Sequence, residues 1–149
     1  MIHYSQIPIP PRSQHLWRYT PWKRIHPTKV ENIPDSDAIK FSSGVDSEMD
    51  GSEEIARSFI HAVSKICKKI TLDDESLELD LRCSGHICAG EINIHSSGDS
   101  ELIIRITGDS GWAGLRVCGE VNGCLSIALI NDLAGDGYLL RCEDWVVNR

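Results

Sequence analysis

From residue 77 onward apolar and polar positions alternate in short runs. Leu77-Glu78-Leu79-Asp80-Leu81-Arg82-Cys83 keeps a strict period of two, and Glu91-Ile92-Asn93-Ile94-His95 repeats it after Gly85 and Gly90. Successive side chains of a strand point to opposite faces, so the pattern predicts half-buried strands. Further runs at 101–107, 114–121, 124–130 and 138–147 follow at intervals of roughly ten to fourteen residues, set apart by Gly, Asn, Asp and Ser. That spacing suits either the coils of a β-solenoid or an antiparallel sheet. Asn122-Gly123 and Asp136-Gly137 are dipeptides that favour tight hairpins, and they pull toward the sheet.

The period changes ahead of the strands. Ile55, Phe59, Ile60, Val63, Ile66, Cys67 and Ile70 recur at helical spacing, with Glu53 and Glu54 at one end and Lys65, Lys68 and Lys69 at the other. Carboxylates suit the positive end of a helix dipole and ammonium groups its negative end, which predicts an amphipathic helix over 53–70 with Ser52 as N-cap. Residues 41–52 turn to Ser, Gly, Asp and Glu, with Ser42-Ser43-Gly44 and Asp50-Gly51-Ser52 reading as turns or linker. All six prolines lie at or before Pro34. Each fixes its own φ and biases its predecessor away from helix, so 1–40 is expected to be an extended arm. The organisation is then an arm over 1–40, a linker over 41–52 and a helix-plus-strand domain over 53–149.

The arm carries the least ordinary chemistry. Trp17, Arg18, Tyr19, Thr20, Pro21 and Trp22 stand together. Large rings gain free energy by leaving water, so the segment is expected to lie on another surface, its own domain or a partner. Arg12, Arg18, Lys23, Arg24 and Lys29, with His15 and His26, make this end basic although the chain as a whole carries a formal charge of -7. The bland reading is a solvated basic arm, and the overall acidity argues against nucleic acid and anionic lipid as partners. No run approaches the roughly 18 apolar residues of a membrane span and no apolar signal core opens the chain, which points to the cytoplasm.

In that compartment the six cysteines, Cys67, Cys83, Cys88, Cys118, Cys124 and Cys142, are reduced thiols, either packed or ligating. Cys83-Ser84-Gly85-His86-Ile87-Cys88 is the most metal-like string. Two thiolates and an imidazole on a Gly-kinked turn converge on zinc or an iron–sulfur cluster if Cys118, Cys124 or Cys142 supplies a further ligand. Against this, Cys83 and Cys118 on strands read equally as small buried hydrophobes. Catalytic signals are weaker. Asp73, Asp74 and Glu75 are consecutive and read as a solvated turn, His61 sits alone on the helix, and Gly85 to Gly90 lacks the Lys and Ser or Thr of a phosphate loop. Gly108-Asp109-Ser110 reads as a turn rather than a nucleophile. No enzyme is expected.

The element Trp17-Arg18-Tyr19-Thr20-Pro21, followed by a Gly-punctuated β region, resembles the SufB/SufD family of iron–sulfur cluster assembly scaffolds. Leu115-Arg116-Val117, Leu125 to Ile130, Asp136-Gly137-Tyr138 and Val146 to Arg149 look like β-helix coils of that family. The resemblance implies a right-handed parallel β-helix and a non-enzymatic scaffold whose partners are a SufC-like ATPase and a SufB/SufD-like subunit. Family members add many more coils and a helical region that meets the ATPase, neither of which these 149 residues contain. No cysteine matches a cluster-bearing position of the family. A short solenoid also leaves an unpaired edge, so self-association or a partner is expected. The alternative reading is a small metal-binding domain or metalloenzyme centred on Cys83, His86 and Cys88.

Overall fold

A computed structural model describes residues 3–14, 17–18, 20–28 and 32–148. The expectations for His15, Tyr19, Lys29 and Arg149 lie outside the described residues. The strands are β1 (Asp37–Ala38), β2 (Lys40–Phe41), β3 (Val45–Asp46), β4 (Cys67–Asp73), β5 (Ser76–Cys83), β6 (Ile87–Gly108), β7 (Trp112–Leu133) and β8 (Tyr138–Asn148). The helices are α1 (Trp22–Ile25), a single turn, and α2 (Ile55–Val63).

The long strands pair in parallel with the chain 24 to 26 residues further on. Cys67 stands beside Glu91, Ser76 beside Glu101, Ile87 beside Trp112, and Trp112 beside Tyr138. This is a β-solenoid of about three turns. The period-two signal was therefore sound, and the hairpin dipeptides misled. Asn122-Gly123 lies within β7 and Asp136-Gly137 joins two parallel strands. Positive φ at Gly123 and at Gly135 bends the chain around a corner. Gly98 (φ +65°) is in register with Gly123 (φ +114°), and Asp74 takes φ +48° at the corner of the preceding coil. A Cβ on Gly123 would stand 2.5 Å from the Gly98 carbonyl oxygen, so stacked corners leave no room for a side chain.

Alternate residues point into the solenoid. Ile70, Leu72, Leu79, Leu81, Cys83, Ile92, Ile94, Leu102, Ile104, Ile106, Leu115 and Val117 form one core, none more than 3% exposed. Its first coil is capped. β2 and β3 pair antiparallel with the outer edges of β5 and β4, β1 pairs parallel with Cys88 and Ala89 of β6, and Ile39 drops into the core at 2% exposure. Part of the segment expected as arm and linker thus joins the sheet.

α2 is shorter than the helical spacing suggests. It ends at Val63, where the Ser64 N–H bonds back to the Ile60 carbonyl. Lys65, Lys68 and Lys69 are outside it, and Cys67 to Ile70 belong to β4. Ile70 fits both periods, and the pairing of Ile70 and Leu72 with Ile94 and Ser96 decides for strand. Glu54, not Ser52, is the N-cap. Its carboxylate accepts the N–H groups of Ala56 and Arg57 at 3.1 and 2.9 Å, and Ser52 Oγ accepts the Glu54 N–H. The arm is likewise not wholly extended, since Tyr4–Gln6 forms a 3₁₀ turn and Trp22–Ile25 a helical one. Prolines sit outside both, Pro21 at the N-cap where a missing N–H costs nothing.

Candidate functional site

The outward face of β6 and β7 is flat and small-sided beneath α2. Ala89 is fully buried, and a Cβ on Gly114 would come 3.3 Å from Ile60. Over this surface α2 lays Ile55, Ala56, Phe59, Ile60 and Val63, and the arm closes on top. Trp22 is fully buried. Its ring meets Phe59 edge-on at 5.6 Å and Trp17 at 5.9 Å, and its Nε1–H donates to the Tyr4 hydroxyl at 3.0 Å. Trp112, reaching up from β7, stacks its edge on Phe59 at 5.6 Å and donates Nε1–H to the Ile25 carbonyl at 2.9 Å. Both indole N–H groups are satisfied, as burial requires.

The arm residues singled out by sequence therefore divide. Trp17 and Trp22 are anchors on the protein's own helix, Pro21 is half-buried, and Arg18 and Thr20 face solvent with Lys23, Arg24 and Arg12. His26, counted above among the basic groups, is 6% exposed and lies 4.4 Å from the Phe59 ring.

The Cys83, His86 and Cys88 string does not converge. Cys83 ends β5 and Cys88 lies near the start of β6, both inward and both 0% exposed, whereas His86 is exposed on the intervening turn. Alternation across the turn throws the imidazole outward while both thiols face the core. Cys142 is buried under α2, Cys124 is exposed at a corner, and Cys118 lies between these extremes. Among the described residues no three His, Cys, Asp or Glu side chains gather as metal ligands. Interaction between the two inward thiols, with help to Cys88 from the Ser84 and Ala89 backbone, draws Cys88 down against the cost of burial and pushes Cys83 up. Burial pushes Cys67 and Cys142 up to about 11.

One cluster escaped the sequence reading. Glu91 and Arg116 are neighbours in register on the outward face, yet their side chains are only 5% and 6% exposed, because α2 and the 47–52 segment cover them. Arg116 Nη1 donates to Glu91 Oε2 at 2.9 Å and to the Asp50 carbonyl at 2.7 Å. His61 of α2 places Nδ1 3.0 Å from both Glu91 oxygens. An open cleft of about 430 Å³, lined in part by Glu48, Met49, Lys65 and Cys67, leads to His61 and Glu91. The group ties helix, loop and two coils together. A lone strand pattern cannot reveal it, but the 25-residue register that sets Glu91 beside Arg116 does.

The far end of the solenoid differs from the capped one. Among the described residues β8 bonds to β7 along one edge only. Its inward positions are Leu139, Arg141, Glu143 and Trp145, in register with Ala113, Leu115, Val117 and Gly119. Arg141 and Glu143 pair at 3.7 Å, and the Trp145 ring fills the place of a Gly119 side chain, 2.1 Å from where its Cβ would stand. Ile127, Tyr138, Val146 and Val147 are 41 to 61% exposed around this end. No helix among the described residues is long and apolar enough to cross a membrane. No family model, curated protein or solved structure matches the chain.

Proposed function

We propose that the protein is a non-enzymatic assembly scaffold that works through the open edge of its solenoid. The observation that carries this reading is the asymmetry of the two ends. One is closed by β1, β2 and β3, whereas β8 presents unpaired backbone donors and acceptors beside exposed apolar side chains. Such an edge is a template for another strand.

The edge is also self-complementary. Antiparallel pairing of two β8 strands about Cys142 sets Arg141 opposite Glu143, Leu139 opposite Trp145, and Tyr138 opposite Val146. Opposite charges and apolar partners meet in pairs, as an isologous interface requires. A second copy of the chain is the occupant that this complementarity selects. The setting in iron–sulfur cluster biogenesis, in the cytoplasm and alongside a SufC-like ATPase, rests on the resemblance carried by the sequence Trp17-Arg18-Tyr19-Thr20-Pro21 and on the parallel solenoid that follows it.

Anaerobic purification from the protein's own cells, with identification of co-purifying chains and iron and sulfide analysis, tests that setting. Recovery of a SufC-like ATPase or a SufB-like scaffold supports it. Recovery of the chain free of both, at a mass that shows self-association, leaves the scaffold reading standing and removes the cluster-assembly one.

A further inference from the structure

The two faces of the solenoid end at different levels. On Cys67–Asp73 stand 91–97, then 116–122, then 142–148. On Ser76–Cys83 stand 101–108 and 126–133, and among the described residues no further strand follows. The second half of β7 is therefore a ledge beside β8, and its edge is separate from the one that β8 presents.

Backbone and side chains of the ledge are both left open. Ala134 N–H, just past the strand, donates back to the Gly108 carbonyl at 2.8 Å, whereas Leu133 N–H is met by the Asn131 side-chain oxygen at 3.2 Å. Successive peptide groups of a strand point to opposite neighbours, so the N–H groups of Leu125, Ile127, Leu129 and Asn131 face the open edge. The side chains of these residues point inward. Leu102 is fully buried, but Ile127, stacked on it, is 41% exposed, and Leu125 and Leu129 are half-buried. An acidic corner lies where the ledge begins. A cleft of about 500 Å³ beside Cys124 and Ser126 is lined by Asp74, Glu75, Asp99 and Glu101. No Lys or Arg among the described residues pairs with any of these four carboxylates.

We propose that residues 124–133 bind an extended peptide segment of a partner protein, added as a parallel strand, with a basic side chain at its N-terminal flank and apolar side chains at alternate positions after it. Unpaired peptide groups take a strand by backbone bonds, and the uncovered leucines and isoleucine take its apolar side chains. The acidic corner stands where a strand parallel to β7 begins, as every coil-to-coil ladder here is parallel, and it gives the cation its place. Asn131, by occupying Leu133 N–H, closes the far end. In each coil the inward residues of a strand bond forward and the outward ones bond back. The outward residues of the added segment therefore supply the N–H groups that reach the ledge.

The test follows the fluorescence anisotropy of a C-terminally labelled synthetic peptide, Lys-Thr-Val-Thr-Val-Thr-Val-Thr, titrated with the full chain. Saturable binding is expected, about tenfold weaker for a peptide of the same composition with its valines consecutive. N-methylation of the threonines is expected to abolish binding and N-methylation of the valines to preserve it. Ile127→Asp, on the uncovered coil, is expected to weaken binding about tenfold. Asp99→Lys with Glu101→Lys is expected to weaken it and to remove its decrease with added salt. A peptide that fails to bind at about 1 mM chain, or binds equally whichever residues are N-methylated, overturns the proposal. Ile127→Asp that lowers the mass of the chain in solution assigns the ledge to a second copy and overturns it likewise. Peptide binding is read separately from pairing of the β8 edge, whose failure shows as a mass indifferent to Arg141→Glu.

Discussion

Trp22 and Glu91 show two opposite ways in which one side chain is fixed. Trp22 is held by rings, each contact edge-on or tilted, with its N–H satisfied by Tyr4. Trp22→Ala is expected to cost about 3–5 kcal/mol in denaturant unfolding, the range for removal of a large buried aromatic. Glu91 is held by charge. Taking it out of water is expensive, and only Arg116 and His61 offset that cost. Glu91→Gln leaves Arg116 buried without its counter-charge and is expected to cost about 3–5 kcal/mol, while Glu91→Leu with Arg116→Met is expected to lose far less. Equal losses from the single and double variants would contradict a coupled pair. Gly123→Ala is the backbone counterpart. Its left-handed φ alone carries roughly 1–3 kcal/mol for a residue with a side chain, and contact with the Gly98 carbonyl adds to this. The tryptophans stood out in the sequence because their composition is rare. Glu91 did not, because its alternation with Ile92 and Ile94 is that of any solvated strand face, and the helix that buries it lies some thirty residues away.

Besides the packing of Cys142 beneath the helix, Arg57 ties α2 to β8 by hydrogen bonds. Arg57 donates Nε–H to Asp144 at 2.7 Å, Nη1–H to Glu54 at 3.0 Å and Nη2–H to the Glu143 carbonyl at 3.3 Å. The Asp144 carboxylate raises the Arg57 pKa above its usual value, so it stays charged throughout the working pH range. Glu54 serves twice, as N-cap and as Arg57 partner. Glu54→Ala is expected to cost about 0.5–2 kcal/mol as a lost cap, and Glu54→Asn to recover most of it, because a short carboxamide caps as well. Recovery that fails with Asn assigns the loss to the ion pair instead. Helical and strand periods were both legible, but their boundary was not. Ile66, Cys67 and Ile70 satisfy spacing of 3.6 and, with Leu72, part of the spacing of two, so parallel register against β6 had to choose.

The molecule as a whole is built from local turns that pair at long range. A repeat of about 25 residues was hidden in the sequence because each coil fills its inward positions with different residues, Leu79, Ile104 and Leu129 on one row and Cys83, Gly108 and Leu133 on another. What repeats is geometry at the corners. The same stacking that closes the first coil with β1, β2 and β3 leaves β8 with one paired edge, and that contrast is the basis for a scaffold that acts by strand addition. The inward Arg141–Glu143 pair blunts the edge against indiscriminate pairing and at the same time specifies a partner whose charges run the other way. The most direct test is the mass of the full chain in solution by light scattering across a concentration series, for the native protein, Arg141→Glu, and Arg141→Glu with Glu143→Arg. The account predicts a native assembly that Arg141→Glu dissociates, by setting like charges opposite each other, and that the double exchange restores. A native chain that stays monomeric, or an assembly indifferent to all three sequences, would contradict it.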